Sequence, residues 1–491
     1  MSTAAPVRVL PAGDGVTFPL ADGRRATSPT GRAILADAAR AASLDLAERI
    51  ETARDWRGGY AGFVRELTAR SGDSAEAALA IAETGLASMR ARLVIERNGE
   101  ELPLRALPEL VGGALGTEVI AGAGPRVTEL RIPYRGGELR GDALRRRLEA
   151  WVQAGVMEPS ARLAIVRVMD HPEWLRLEGR RVAVVGAGSE VGPLEALTTW
   201  GADVLAVDVL DADVWARIAE VAARGAGTVT LPLAPDGGTR GADLVRALPE
   251  LRAWLAEAGG DDDLVLGMYA YADGGAHVLV SAAFDALATQ LLADRPGTAL
   301  AFLATPTDAF LVPDRVVTAA RVAWEERGRA RRALQAPLRG LSGGRLFSPA
   351  YGSPDDAVAD ILVAQQGPNY ALAKRLQRWR GVSAAAAGHP VSFNVAPSAW
   401  TRSVTSNRVL AAAYAGAHRF GIEIFAPETS RVLMAAMLVH DLHQQPDLER
   451  HPEALFSDGA VHGGLWRSPY EPRSVLGLAA VTGLVRGTKS I

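Results

Sequence analysis

The chain has no cysteine among its 491 residues. That excludes disulfides, zinc–thiolate sites and thiol nucleophiles, and it fits a reducing compartment. An excess of one charge is also lacking: 53 basic side chains face 56 acidic ones, giving a formal net charge of −3. A nucleic-acid binder held by a broad basic field is therefore not expected. Residues 1–14 lack a basic start followed by an apolar run, so no signal peptide is read there. No uninterrupted apolar run reaches the roughly 20 residues a membrane span needs. The most apolar stretch, 278–305, is broken by Asp285, Asp294, Arg295 and a Pro296-Gly297 pair, and it reads as buried helix, turn and strand. The expectation is a soluble, cytoplasmic protein that binds neither membrane nor nucleic acid.

What is present is hydrophobic material, 48% of the residues, enough for a large core. The length suggests two domains or one large domain with extensions. Residues 1–175 read as mainly helical, with helical spacing of Ala, Leu and Ile over 28–55, 60–70, 74–93, 141–156 and 159–169 and a short strand near 130–134. Gly122, Gly124 and Pro125 read as a plain loop. From Arg181 strands alternate with helices: 182–185, 204–207, 228–231, 264–268, 299–303 and 391–395. This rhythm predicts an α/β fold, a doubly wound parallel sheet covered on both faces, over 176–491. Residues 306–367 interrupt it as an insertion, with a basic helix over 313–335 and a Gly/Pro-rich segment over 337–354.

The first of these strands runs into the glycine turn Gly186, Gly188, Ser189, Glu190, Val191, Gly192. Glycine lets a backbone approach a pyrophosphate, and a following helix N-terminus offers free N–H groups. The next strand ends at Asp208, whose carboxylate can accept hydrogen bonds from both adenosine ribose hydroxyls and would repel a 2′-phosphate. NAD is therefore expected rather than NADP. Two other readings stand beside this one. One is a structural turn without a ligand. The other is a methyltransferase, although its usual acid before the turn is missing from the apolar strand 182–185.

Tyr370 and Lys374 lie four apart near the start of a predicted helix, hence on one face. An ammonium beside a phenol lowers its pKa, and a tyrosine so tuned can exchange a proton with a carbonyl or alcohol oxygen. An aromatic staple with a surface lysine is the plainer alternative. With the glycine turn and the strand ending at Pro397-Ser398, the pair makes the chain resemble the short-chain dehydrogenase/reductase family over about 181–466, the insertion excepted. Residues 426–441 look like that family's late helix and 459–464 like its final strand.

The resemblance implies an NAD-dependent oxidoreductase interconverting an alcohol and a carbonyl. Tyr370 would be the acid/base and Lys374 its tuner and ribose ligand, with Pro397 beside the cofactor. It also exposes departures. Glu190 stands where the family usually has Gly, and Ser398 replaces the Gly after Pro397. The family's Ser and Asn are replaced by Thr305 or Thr307 and by Ser281. These losses keep open a non-catalytic dinucleotide-binding protein of the same fold.

His440 and His443 read as a helix end rather than a metal pair, and His277 as a pocket residue. The run Arg327, Arg329, Arg331, Arg332 reads as a solvated face or subunit contact, with an anionic group, such as a coenzyme A phosphate, as the other reading. The partners expected are a small-molecule substrate and a second copy of the chain.

Overall fold

The computed structural model describes residues 14–485 apart from 22, 354, 364, 365, 445 and 446. Most of the opening segment read for a signal peptide, and Pro354 at the end of the Gly/Pro-rich segment, lie outside the described residues.

The centre is a seven-stranded sheet. Its strands are β1 (Gly116–Ala121), β2 (Arg180–Val185), β3 (Asp203–Val207), β4 (Thr228–Leu233), β5 (Asp263–Met268), β6 (Ala299–Ala304) and β7 (Val391–Val395). The spatial order is β7-β6-β5-β2-β3-β4-β1. All neighbours run parallel except β1, which pairs antiparallel with β4. This is a Rossmann-like doubly wound sheet, and its strand order reverses between β2 and β5. Ligands of such sheets sit at the carboxyl ends of the strands beside that reversal.

The apolar runs become central strands because both faces are covered. Along β2, Val182 and Val184 join one core while Ala183 and Val185 join the other. The helices that matter below are α1 (Thr27–Arg40), α2 (Trp56–Ser71), α3 (Ala75–Arg92), α4 (Leu194–Trp200), α5 (Gly275–Asp294), α6 (Asp314–Glu325), α7 (Arg329–Leu341), α8 (Gly367–Ala386) and α9 (Pro427–Leu442). One core joins Ile34, Leu86 and Met89 of the early helices to Leu279 of α5 and Trp379 of α8. The other joins Trp151 and Ile165 to Leu433 and Met437 of α9. Both cores thus draw on chain before and after residue 175, and β1 carries the early chain into the sheet itself.

Helix α5 is apolar all round because it is buried all round. It is long and apolar enough to cross a membrane, yet 72% of its most apolar window is buried in the fold. Its Asp285 is paired with Arg90 and Arg380.

Three sequence expectations are corrected. The helix expected over 28–55 breaks at Ala41–Ser43, where Ser43 caps a second helix by accepting from the Leu46 amide at 3.2 Å. The single basic helix expected over 313–335 is two, α6 and α7, divided at Gly328. The helix expected after the glycine turn is present as the short α4, starting at Leu194 with 7 residues. Residues 459–464 form no strand. Gly459, Gly463 and Gly464 have φ of 79°, 68° and 96°, which an extended strand cannot hold. Val461 keeps one bond to Val395. His462 is anchored instead to Glu158, whose carboxylate also accepts from Arg467 at 2.9 Å and Arg315 at 3.1 Å.

Candidate active site

Strand β6 ends just before Thr305. The chain then forms the insertion, including a ribbon of Ala309–Leu311 against Val358–Asp360, and re-enters the fold as α8. That detour returns Tyr370 to Thr305, 65 residues earlier. The two hydroxyls share a hydrogen bond of 2.8 Å, and Thr305 Oγ1 lies 3.1 Å from Thr307 Oγ1. Thr305 is exposed and Tyr370 half-buried, so the pair is reachable from solvent at the carboxyl edge of the sheet.

Lys374 follows one turn on, its Nζ 5.8 Å from the centroid of the Tyr370 ring. Its ammonium donates to Gln377 Oε1 at 3.3 Å, and Gln377 Nε2 donates to Ser281 Oγ at 3.0 Å. Gln377 Nε2 also stands 3.5 Å from His277 Nε2. Two helix faces therefore meet here: Tyr370, Lys374 and Gln377 on α8, His277 and Ser281 on α5. The Tyr271 ring meets His277 edge-on at 4.9 Å, and the His277 ring meets Tyr370 at 5.8 Å.

The electrostatics differ from the sequence expectation in one respect. Burial pushes the Tyr370 phenol up, opposed by its bond from Thr305. The lysine does not pull it below its ordinary value here. Burial instead brings Lys374 down to about 8, against the pull of Asp308. Burial and the Lys374 charge hold His277 well below the usual imidazole range, so it is neutral. His277 is 1% exposed, and its Nδ1 has no partner among the described atoms. A buried, unsatisfied ring nitrogen calls for a water or ligand atom.

The glycine turn is held mainly by its own neighbours. The amides of Gly186 and Ala187 donate to Val207 O, Ser189 to Gly186 O and Gly192 to Ser189 O. Asp208 accepts from the Gly188 amide at 2.7 Å and from Val209 at 2.8 Å, and burial raises its pKa. A Cβ at Gly186, where φ is 87°, would lie 2.3 Å from the Ala270 amide nitrogen. One at Gly188 would lie 2.7 Å from Val214. Packing alone thus demands glycine at 186, where backbone is in the way, while at 188 it is a Val214 methyl that would have to move. The amides of Glu190 and Val191 have no acceptor among the described residues. Around them Arg402 pairs with the Glu190 carboxylate at 2.7 Å, and Arg431 donates to the Glu190 carbonyl at 2.8 Å. Two free amides and two arginines fit a pyrophosphate; the Glu190 carboxylate between them opposes one.

Pro397 and Ser398 are buried beyond β7, Ser398 O accepting from Phe425. His443 stacks on Trp174 at 4.5 Å and His440 bonds Asp441, so both rings are engaged elsewhere. Gln377 is the residue the sequence reading missed. Its spacing of seven from Tyr370 and three from Lys374 was the available signal.

No protein-family model matches the chain, and a search of curated proteins returns no match. Among solved structures the chain is similar to the angucycline C-6 ketoreductase LanV with bound NADP, at 16% identity and a TM-score of 0.30. The alignment covers 59% of this chain and 96% of that one. The Rossmann-like fold itself is established by the strand order and pairing described above.

Proposed function

We propose that the chain is an oxidoreductase interconverting an alcohol and a carbonyl with a nicotinamide dinucleotide. The observation that carries this is the convergence of the Tyr370 and Thr305 hydroxyls at 2.8 Å, with Lys374 one turn along the same helix face. The bound nicotinamide would supply or accept the hydride. Glu190 and Val191 amides with Arg402 would hold the pyrophosphate, Asp208 the adenosine ribose and Lys374 the nicotinamide ribose. The Tyr370 hydroxyl would pass its proton to the substrate oxygen while the Thr305 hydroxyl fixes that oxygen's position. Thr305 takes the place of a serine, and Gln377 with Ser281 steadies Lys374. Asp208 favours NAD over NADP in this reading.

A thermal-shift panel with NAD, NADP and S-adenosylmethionine tests the assignment, since a ligand of the folded state raises its stability. Stabilisation by NAD, or more weakly by NADP, is expected. Stabilisation by S-adenosylmethionine alone would replace the reading with a methyltransferase. The Glu190 carboxylate beside the turn's free amides favours a second reading, a fold that kept the sheet without turnover; dinucleotide binding with no Tyr370-dependent oxidation of any alcohol would establish it.

A further inference from the structure

The insertion carries a second polar concentration that the proposed reaction does not use. Between residues 327 and 345 the chain has Arg327, Arg329, Arg331, Arg332, Arg339 and Arg345 and no acidic residue. Three of them, Arg327, Arg332 and Arg339, line one open cavity of about 560 Å³ with Trp324, Gln335 and Phe347. Small-molecule sites commonly enclose about 300–1,000 Å³.

Helix α7 buries none of its residues: Leu334 and Leu341 are 71% and 87% exposed, Arg332 and Arg339 are exposed at the cavity rim, and Gln335 is half-buried. None of the three cavity arginines is ion-paired to a carboxylate among the described residues. Arg327 lies over the Trp324 ring, 3.0 Å from its centroid, with Arg339 5.5 Å away. The buried Arg327 Nε and Gln335 Oε1 have no hydrogen-bond partner among the described residues, although Gln335 Nε2 donates to the Tyr470 hydroxyl at 2.8 Å. Burial, and the charges of Arg339 and Arg332, depress the Arg327 pKa. Gly343 and Gly344, at φ of 60° and 82°, border the cavity with no side chain to fill it.

Three cations without counter-charge, an orphan donor, an orphan acceptor and an aromatic wall describe a ligand by complement. We propose that this cavity binds a phosphorylated aromatic molecule. The arginines, two of them stacked on Trp324, hold the phosphate, Phe347 lies beside the ring, and Gln335 Oε1 accepts from an N–H or O–H on it. Guanidinium groups suit a phosphate because their forked donors match its oxygens. The site stands apart from Tyr370 and does not depend on the oxidoreductase reading.

Calorimetric titration with AMP, adenosine and inorganic phosphate tests it. AMP is expected to bind, with adenosine and inorganic phosphate each at least about tenfold weaker, because each lacks one half of the recognised group. The double variant Arg332→Gln/Arg339→Gln is expected to weaken AMP by roughly 100-fold, as two charge-assisted bonds are lost. The Arg331→Gln variant, altered outside the cavity lining, keeps AMP affinity within about twofold. Thermal melting of each variant confirms that it is folded. Undiminished AMP binding by the double variant would place the nucleotide at the glycine turn and overturn the proposal while leaving the oxidoreductase reading intact. Equal affinity for AMP and adenosine, or no AMP binding by the unaltered protein, also overturns it.

Discussion

Helix α8 carries two sets of cations that are treated in opposite ways. Arg375 and Arg378 are buried and paired with carboxylates, Arg375 with Asp308 and Arg378 with Glu453 at 2.5 Å, although Arg375 Nε has no partner among the described residues. Thr68 and Ser71 of α2 complete that network through Arg375 and Glu453. Lys374, next in sequence to Arg375, has only the neutral Gln377 as a hydrogen-bond partner among the described residues, and burial lowers its pKa to about 8. A matched buried charge fixes geometry; an unmatched one is held ready for something not yet bound. The contrast predicts that the two sets respond oppositely to removal.

The largest effect is expected in turnover. Tyr370→Phe keeps the ring and deletes the exchangeable proton, so the rate with a productive alcohol or carbonyl falls by about 10²–10⁴-fold or more. Dinucleotide affinity and unfolding free energy are expected to stay near those of the unaltered protein. A variant that keeps its rate would make Tyr370 a packing residue like its matched neighbours.

Removing one partner of a matched pair acts on stability instead. Glu453→Ala leaves Arg375 and Arg378 to share one buried carboxylate, Asp308, and is expected to cost about 3–5 kcal/mol. The midpoint of urea unfolding measures this; an unchanged midpoint would mean that the network contributes nothing.

Acid and alkali separate the two kinds of charge as well. Burial raises the Glu158 pKa, but bonds from His462 and Arg467 outweigh it and bring the carboxyl from 4.5 to about 2. The unfolded chain takes up a proton near 4.5 and the folded one only near 2, so this contribution is complete above 4.5 and lost as pH falls to 2. A shift of that size is on the order of 3 kcal/mol. Glu158→Gln is expected to flatten the acid limb of stability against pH; an unflattened limb would show that the cluster does not hold this carboxylate.

Lys374 works in the other direction. Folding lowers its pKa from 10.5 to about 8, so below 8 the protein carries a charge that burial penalises. Between 8 and 10.5 the unfolded chain binds the extra proton and stability rises with pH. Lys374→Met is therefore expected to stabilise the protein at neutral pH by on the order of 1 kcal/mol while losing turnover, an exchange familiar at functional sites. Melting temperature and rate measured on one preparation decide it; destabilisation by this variant would remove the contrast with Arg375.

The smallest effect concerns cofactor preference. Asp208→Ala is expected to reduce discrimination between NAD and NADP by about tenfold, read as the ratio of the two dissociation constants. Tighter NADP binding by the unaltered protein would withdraw Asp208 from the ribose.

Much of this arrangement was legible in the residues. The apolar runs from Arg180 to Val395 announced six strands of the sheet because buried parallel strands need little else than β-branched and small apolar side chains. The Tyr370–Lys374 face and the Thr305 hydroxyl were visible as spacing and as a strand end. Strand β1 was not, because its partner is distant in sequence and its alternation in Gly116–Ala121 is half exposed. The buried arginines were not either: a charged run on a helix resembles a solvated face until Asp308 and Glu453 arrive from other parts of the chain. The same ambiguity hid the cavity that Arg327, Arg332 and Arg339 line.

Strand β1 has a consequence for the order in which the chain is made. Its six residues pair with Thr228–Leu233, which is synthesised much later. At roughly 5–20 residues per second, the early strand waits several seconds for its mate. Until it docks, the outer edge of β4 presents unpaired N–H and C=O groups, the feature through which sheets join neighbouring molecules. A chain shortened past Ala121 would leave that edge bare permanently, so the early residues guard against aggregation as well as adding to the core.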